Sequence, residues 1–369
     1  MIYVYWTLFS VVLAWCANFF VIQKAKNSTD ELQDDGANKV SPAGKLILIL
    51  AVTPFFLIGA LRYLVGTDYQ TYLWNQIPGV LQNGWSDNVA PLYRLVIIVG
   101  SKLGSTQFIF VLTSLIIAIF LYLSIVRQSS SFALSIFIFT FSTFFSFTLN
   151  GMRQSIAALV ILYGISFLYD KKILAYVLMI SGVLFHTSGI IMCAVILITY
   201  YFFRQDAVAR VSMWLIPVVY IISPIAIFVT KGIATKFGYG YYFTVDDFMS
   251  FDKALVLILV LGLVLGVALQ MTGTHLRKID QLMLNVTGVS SLLLVFLRSV
   301  PNAGRLVNLF LPLQIILVPN LIGYIKNRYI RIIVRGIFIC LYIGIYIYRV
   351  LYKNFNGTLP FHLITNWNF

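Results

Sequence analysis

Long apolar runs alternate with short polar breaks along most of the chain. The runs cover residues 2–22, 46–65, 106–126, 132–149, 155–169, 173–203, 211–230, 254–271, 282–297, 306–325 and 337–351. A helix needs about 20 apolar residues to cross a bilayer. Backbone in lipid must satisfy its own hydrogen bonds, so runs of this kind form helices. The alternating pattern of a membrane barrel is absent. The run 173–203 exceeds one ordinary crossing and reads as two short ones with a break near His186. Residues 91–103 form a shorter segment, re-entrant or a thin span. The pattern predicts an all-α, polytopic integral membrane protein with about 11–13 transmembrane helices in a single domain over 1–369.

Composition agrees. Of the 369 residues, 60% are hydrophobic and 10% charged, against about 25% charged in soluble domains. The first residues are apolar without a basic leading region or a small-residue cleavage site, so they read as an uncleaved first helix. Cys16, Cys193 and Cys340 fall inside apolar runs and read as free thiols. The net charge of +14 fits basic cytoplasmic loops, and no nucleic acid is expected as a partner.

Lysine and arginine set the orientation. Lys326, Arg328, Arg331 and Arg335 form the densest basic cluster and belong in the cytoplasm. Arg277 and Lys278, Lys171 and Lys172, and Arg204 and Arg210 go to the same side. A polar linker at about 23–45 joins them there, with charges that cancel. Threading from these anchors puts loops 66–90, 231–253 and 298–305, the break at Arg153, the turn at His186 and the C-terminal tail outside.

Several residues do not suit an apolar chain. Arg153, Arg298 and Arg305 lie at outer span ends, and Arg62 reads as lying inside a span. An arginine at mid-bilayer costs about 2.5–3.5 kcal/mol on insertion scales, less where it snorkels. Snorkelling is one reading of these residues. The other is a phosphate receptor, because each guanidinium offers a permanently charged planar fork. The phosphate-bearing substrate of an outer membrane face is a polyprenyl diphosphate-linked sugar. His186, followed by Thr187 and Ser188, is either a packed hydrogen-bonder or a general base for a sugar hydroxyl. Asp68 is a helix cap, or a sugar ligand, an orienter of His186 or Arg62, or the base itself. Tyr69 and Tyr72 suit an interfacial aromatic belt or stacking on sugars. Asp246 and Asp247 are a weak metal candidate without an accompanying His or Cys. Nucleotide-binding and zinc motifs are absent, and neither a cofactor nor a metal is expected.

"RYLVGTDYQTY", "NGMRQSIA" and "FHTSG" follow one another, each at the outer end of a span. In this order they resemble the EpsG-like branch of the Wzy-type polysaccharide polymerases, over about 60–312. The family pattern matches Asp68, Tyr69 and Tyr72, then Arg153 and Gln154, then His186 and Ser188, with Arg305 as a late arginine. The resemblance implies a GT-C-like, metal-independent glycosyltransferase in the bacterial cytoplasmic (inner) membrane. It would polymerise undecaprenyl-diphosphate-linked oligosaccharide repeat units on the outer face, with the growing chain as donor and a new unit as acceptor. Its partners would be these lipid-linked oligosaccharides, membrane lipid, a flippase and a chain-length regulator. The implied catalytic set is His186, Asp68, Arg153 and Arg305; Arg62, Tyr69, Tyr72, Gln154, Ser188 and Arg298 would bind substrate. A lipid-linked oligosaccharide flippase and an O-antigen-type ligase are the alternatives. A flippase would carry charge deep in its cavity and two related halves, whereas the ionisable residues here concentrate at span ends.

Overall fold

The apolar runs fold as helices. The computed structural model describes residues 2–23, 38–84, 89–203, 206–236, 252–300 and 303–365. In chain order the helices are α1 (Ile2–Asn18), α2 (Pro42–Leu61), α3 (Tyr69–Thr71), α4 (Ile77–Asn83), α5 (Pro91–Lys102), α6 (Gln107–Gln128), α7 (Phe132–Phe141), α8 (Phe144–Thr148) and α9 (Met152–Ile165). They continue as α10 (Lys172–Phe185), α11 (Gly189–Phe202), α12 (Ala207–Ile222), α13 (Pro224–Lys236), α14 (Lys253–Met271), α15 (Lys278–Phe296), α16 (Val307–Tyr324) and α17 (Arg328–Tyr346). A small antiparallel pair, β1 (Val21–Gln23) and β2 (Lys39–Val40), joins the two ends of the polar linker.

Among the described residues, six helices are long and apolar enough to cross a membrane: α2, α6, α14, α15, α16 and α17. The pair α12 and α13, bent by 74° just before Pro224, makes a seventh if taken as one span. Proline removes a helical donor and clashes with the preceding turn, which accounts for the bend. Five shorter apolar helices accompany them: α1, α7, α9, α10 and α11. A 14-residue helix rises about 21 Å, short of the ~30 Å hydrocarbon core. Thus α9, α10 and α11, each 14 residues long, do not cross it singly. The run 173–203 does break at His186, and α5 is too short to span.

Two boundaries differ from expectation. The second span ends at Leu61, so Arg62 lies beyond the helix as its C-cap, not inside it. The linker was expected to extend to about 45, but Ser41 caps α2 by accepting from the Gly44 N–H. Asn38 is also tied down, donating to the Val126 and Ser129 carbonyls. Residues 24–37 of the linker, Arg204, and Asp246 and Asp247 lie outside the described residues.

Helix α16 is the axis of the bundle and packs against α7, α9, α14 and α15. Its most apolar window is 89% buried, against 22% for α17, whose outward face is aliphatic. Pro319 lies inside α16 and supplies no N–H, so the Ile315 carbonyl loses its helical partner. The Ser135 hydroxyl replaces it at 2.6 Å. A substitute donor from a neighbouring helix is how proline is tolerated in a buried span.

Candidate active site

At one end of α16 the chain builds a polar corner from three turns. The first runs from Leu61 to Tyr69. Gly66 adopts φ +104°, and a Cβ there would sit 2.6 Å from the Leu149 carbonyl oxygen. Glycine is therefore required on both grounds. The Thr67 hydroxyl and the Asp68 N–H both donate to Asn150 Oδ1, at 2.8 and 2.7 Å. The turn is locked onto the segment before α9, and the Asp68 side chain makes no capping hydrogen bond. Its carboxylate lines a cavity of about 30 Å³ together with Asn150, Gln154, Arg305 and Asn308.

The second turn precedes α16 and carries Arg305. Its Nη2 lies 4.0 Å from Asp68 Oδ1, and the arginine side chain is half exposed. Gln154 Nε2 donates to the Arg305 carbonyl at 3.0 Å, binding this turn to α9. Arg153 stands in the first turn of α9, over the Tyr93 ring, and donates to the Tyr72 hydroxyl. Its Nε is buried with no protein partner. Burial raises the Asp68 carboxyl above its usual range, and the Arg305 and Arg153 guanidiniums partly offset this.

The third turn joins α10 to α11 at His186. The Ser188 N–H donates to His186 Nδ1 at 3.2 Å, and the Ser188 hydroxyl lies 2.6 Å from the same nitrogen. A backbone N–H can only donate, so Nδ1 is the acceptor and the neutral ring carries its proton on Nε2. Burial and then the charges of Arg153 and Arg305 hold the imidazole down at about 4. The ring is neutral at physiological pH and offers a donor, not a lone pair, at its free nitrogen. In this tautomer His186 presents a donor at Nε2, and Asp68 presents a carboxylate beside the cavity.

The corner is electropositive for a second reason. The N-termini of α9, α11 and α16 all end here, each with the partial positive charge of its unpaired N–H groups. Arginine in a first helical turn opposes that field, so Arg153 is unfavourable for the helix unless an anion is present.

The remaining expected residues have other settings. Arg62 is 1% exposed; its guanidinium donates to the Leu149 carbonyl and to Met152 Sδ and packs near the Tyr69 and Phe110 rings. It braces the floor of the turn, with no open face for substrate. Tyr69 is stacked on Phe110 with ring centroids 4.6 Å apart and is likewise buried. Tyr72 is buried and reaches the site through Arg153. Arg298 is engaged elsewhere, donating to the Ser223 hydroxyl and lying over Tyr220. It does not line the Asp68 cavity.

Five polar cavity residues were not foreseen: Asn150, Asp252, Asn308, Arg349 and Asn356. Arg349 and Asp252 form a buried ion pair, with the Arg349 guanidinium over Phe355. Asn356 arrives on the C-terminal segment, which folds back as a strap. The Gly66 and Thr67 N–H groups donate to the Gly357 and Asn356 carbonyls, and Tyr63 N–H to the His362 carbonyl. Arg349 sits at the end of the last span, as Arg153 and Arg305 sit at the ends of theirs, and the same criterion would have found it.

A bundle of apolar helices with an anion-receptive polar corner defines a multi-pass membrane protein. The EpsG family model matches residues 45–363. The chain belongs to the EpsG family, a family of Wzy-like polysaccharide polymerase-type membrane proteins. It is accordingly a membrane protein of polysaccharide synthesis, with a glycosyltransferase-like polymerase role at the level of the family. No curated protein and no solved structure matches it.

Proposed function

We propose that the chain polymerises undecaprenyl-diphosphate-linked oligosaccharide repeat units on the outer face of the cytoplasmic membrane, with its active site at the Asp68 corner. The observation that carries this reading is the Asp68–Arg305 pair beside Gln154, within the field of Arg153. It sets one carboxylate against two guanidiniums. The acceptor hydroxyl attacks C1 of the donor sugar, and Asp68 takes its proton. The bond from C1 to the diphosphate oxygen breaks, and the electron pair leaves with undecaprenyl diphosphate. Arg153 and Arg305 hold that charge. The Nε2–H of His186 donates to a substrate oxygen. The groups named supply a base and charge stabilisation without a metal.

The test is deletion of the gene in its host, followed by sizing of the surface polysaccharide. The expected result is a single repeat unit on the surface with no longer chains. Loss of every unit from the outer face would indicate a flippase. Full-length polymer that is not transferred to its final acceptor would indicate a ligase.

A further inference from the structure

A second polar cavity lies at the opposite end of α16. It encloses about 230 Å³, against about 30 Å³ beside Asp68. Asn308 and Asn320 border the two cavities, and 12 residues of helix separate them by about 18 Å along the axis.

The floor of this cavity is internally neutral. Arg277 Nε and Nη2 donate to Asp280 at 2.7 and 3.2 Å. Asn320 Nδ2 and the Tyr324 hydroxyl donate to the same carboxylate at 2.8 and 2.7 Å. Asp280 is fully buried with both oxygens occupied, so it offers nothing to a cation. Two more arginines line the cavity from α17, Arg331 and Arg335, four residues apart and so on one helix face. Arg331 is anchored by the Ile325 and Lys326 carbonyls that follow α16. Arg335 is exposed and has no ion-pair partner among the described residues. Three arginines against one aspartate leave the lining with an excess of two positive charges.

Away from these arginines, α17 presents an exposed aliphatic side. Ile330, Ile332, Ile333 and Ile337 of α17 are all more than half exposed. A headgroup in the cavity would leave its acyl chains beside α17, in the lipid that this aliphatic side meets. Basic pockets between helices near a membrane surface take anionic headgroups on the same physical grounds.

We propose that the cavity bordered by Arg277, Asn320, Tyr324, Arg331 and Arg335 is a binding site for a phosphate-bearing anion, supplied by the headgroup of an anionic membrane lipid. The site is separate from the Asp68 corner and does not depend on the reaction assigned there.

The test uses the full chain in nanodiscs of phosphatidylcholine alone or with phosphatidylglycerol, with retained lipid read by native mass spectrometry. Wild-type protein should retain phosphatidylglycerol over phosphatidylcholine. The doubly substituted Arg331→Ala, Arg335→Ala protein should lose that preference, by about fivefold or more for each arginine. Arg335→Gln, at an exposed position, should give the single-residue loss in a protein that folds. Inorganic phosphate is added to the phosphatidylcholine discs in a further arm. Stabilisation of the wild type by phosphate, lost in the Arg335→Gln protein and without a phosphatidylglycerol preference, would keep the anion site but overturn the lipid source. Equal phosphatidylglycerol retention in wild type and both variants, with no effect of phosphate, would overturn the proposal.

Discussion

Asp68 and His186 meet similar surroundings and respond in opposite directions. Burial disfavours the charged form of each, so the carboxyl rises and the imidazole falls. The neighbouring arginines oppose the first shift and reinforce the second. A pH consequence follows from the signs. On the proposed mechanism activity requires ionised Asp68, so it should be present above the raised carboxyl value and lost as pH falls through it. His186 is already neutral above about 4 and contributes no inflection near 6.5. His186→Gln should therefore leave the acid limb of the pH–rate profile where it is. Its rate should drop by about tenfold, the upper worth of one ordinary hydrogen bond. A limb that disappears in this variant would make His186 the titrating base. Arg305→Lys should be nearly as impaired as Arg305→Ala, by about 10²–10³ in rate, because an ammonium cannot reproduce the two-pronged contact with diphosphate. Rates from radiolabelled lipid-linked units would show it, and a lysine variant of wild-type rate would exclude the fork.

Among the elements, two irregular segments hold the site, the turn 61–69 and the C-terminal strap. Gly66→Ala places a Cβ against the Leu149 carbonyl at a positive φ. It should cost more than about 1 kcal/mol and displace Asp68, seen as a lower unfolding midpoint in detergent together with lost activity. Unchanged stability would show that the turn yields without strain. Asp68 and Arg305 stood out in the sequence as candidates because a charge at the end of an apolar run is conspicuous, whereas Gln154 was named only through the family resemblance. The strap was not, because its contacts run through backbone N–H and carbonyl groups that carry no sequence signal. Arg62 misled because a helix end cannot be fixed to one residue by hydropathy; a shift of a single residue makes it a cap. The 14-residue helices also exceed what run length can resolve, since α10 and α11 share one uninterrupted hydrophobic stretch apart from His186.

For the molecule as a whole, positive charge gathers at the two ends of α16. Lys326, Arg328, Arg331 and Arg335 surround one end of α16; Arg153, Arg305 and Arg349 surround the other. The basic-loop rule assigns the first end to the cytoplasm. That assignment predicts that the strap, which packs on the Asp68 turn, faces outward. Thr358 on that strap is buried, whereas Leu363 is 55% exposed and makes the better probe. In a background lacking the exposed Cys340, Leu363→Cys should react with a membrane-impermeant thiol reagent in intact spheroplasts, and Tyr329→Cys only after lysis. The reverse pattern would invert the protein and place the Asp68 corner inside. The most direct test of the central claim is the length of surface polysaccharide made by cells whose only copy of the protein carries Asp68→Asn. Asparagine keeps the size of the side chain and removes the base, which costs about 10²–10⁴ in rate. The variant should accumulate in the membrane at the wild-type level, with single lipid-linked repeat units building up and polymer absent; full-length polymer at that level of protein would contradict the account.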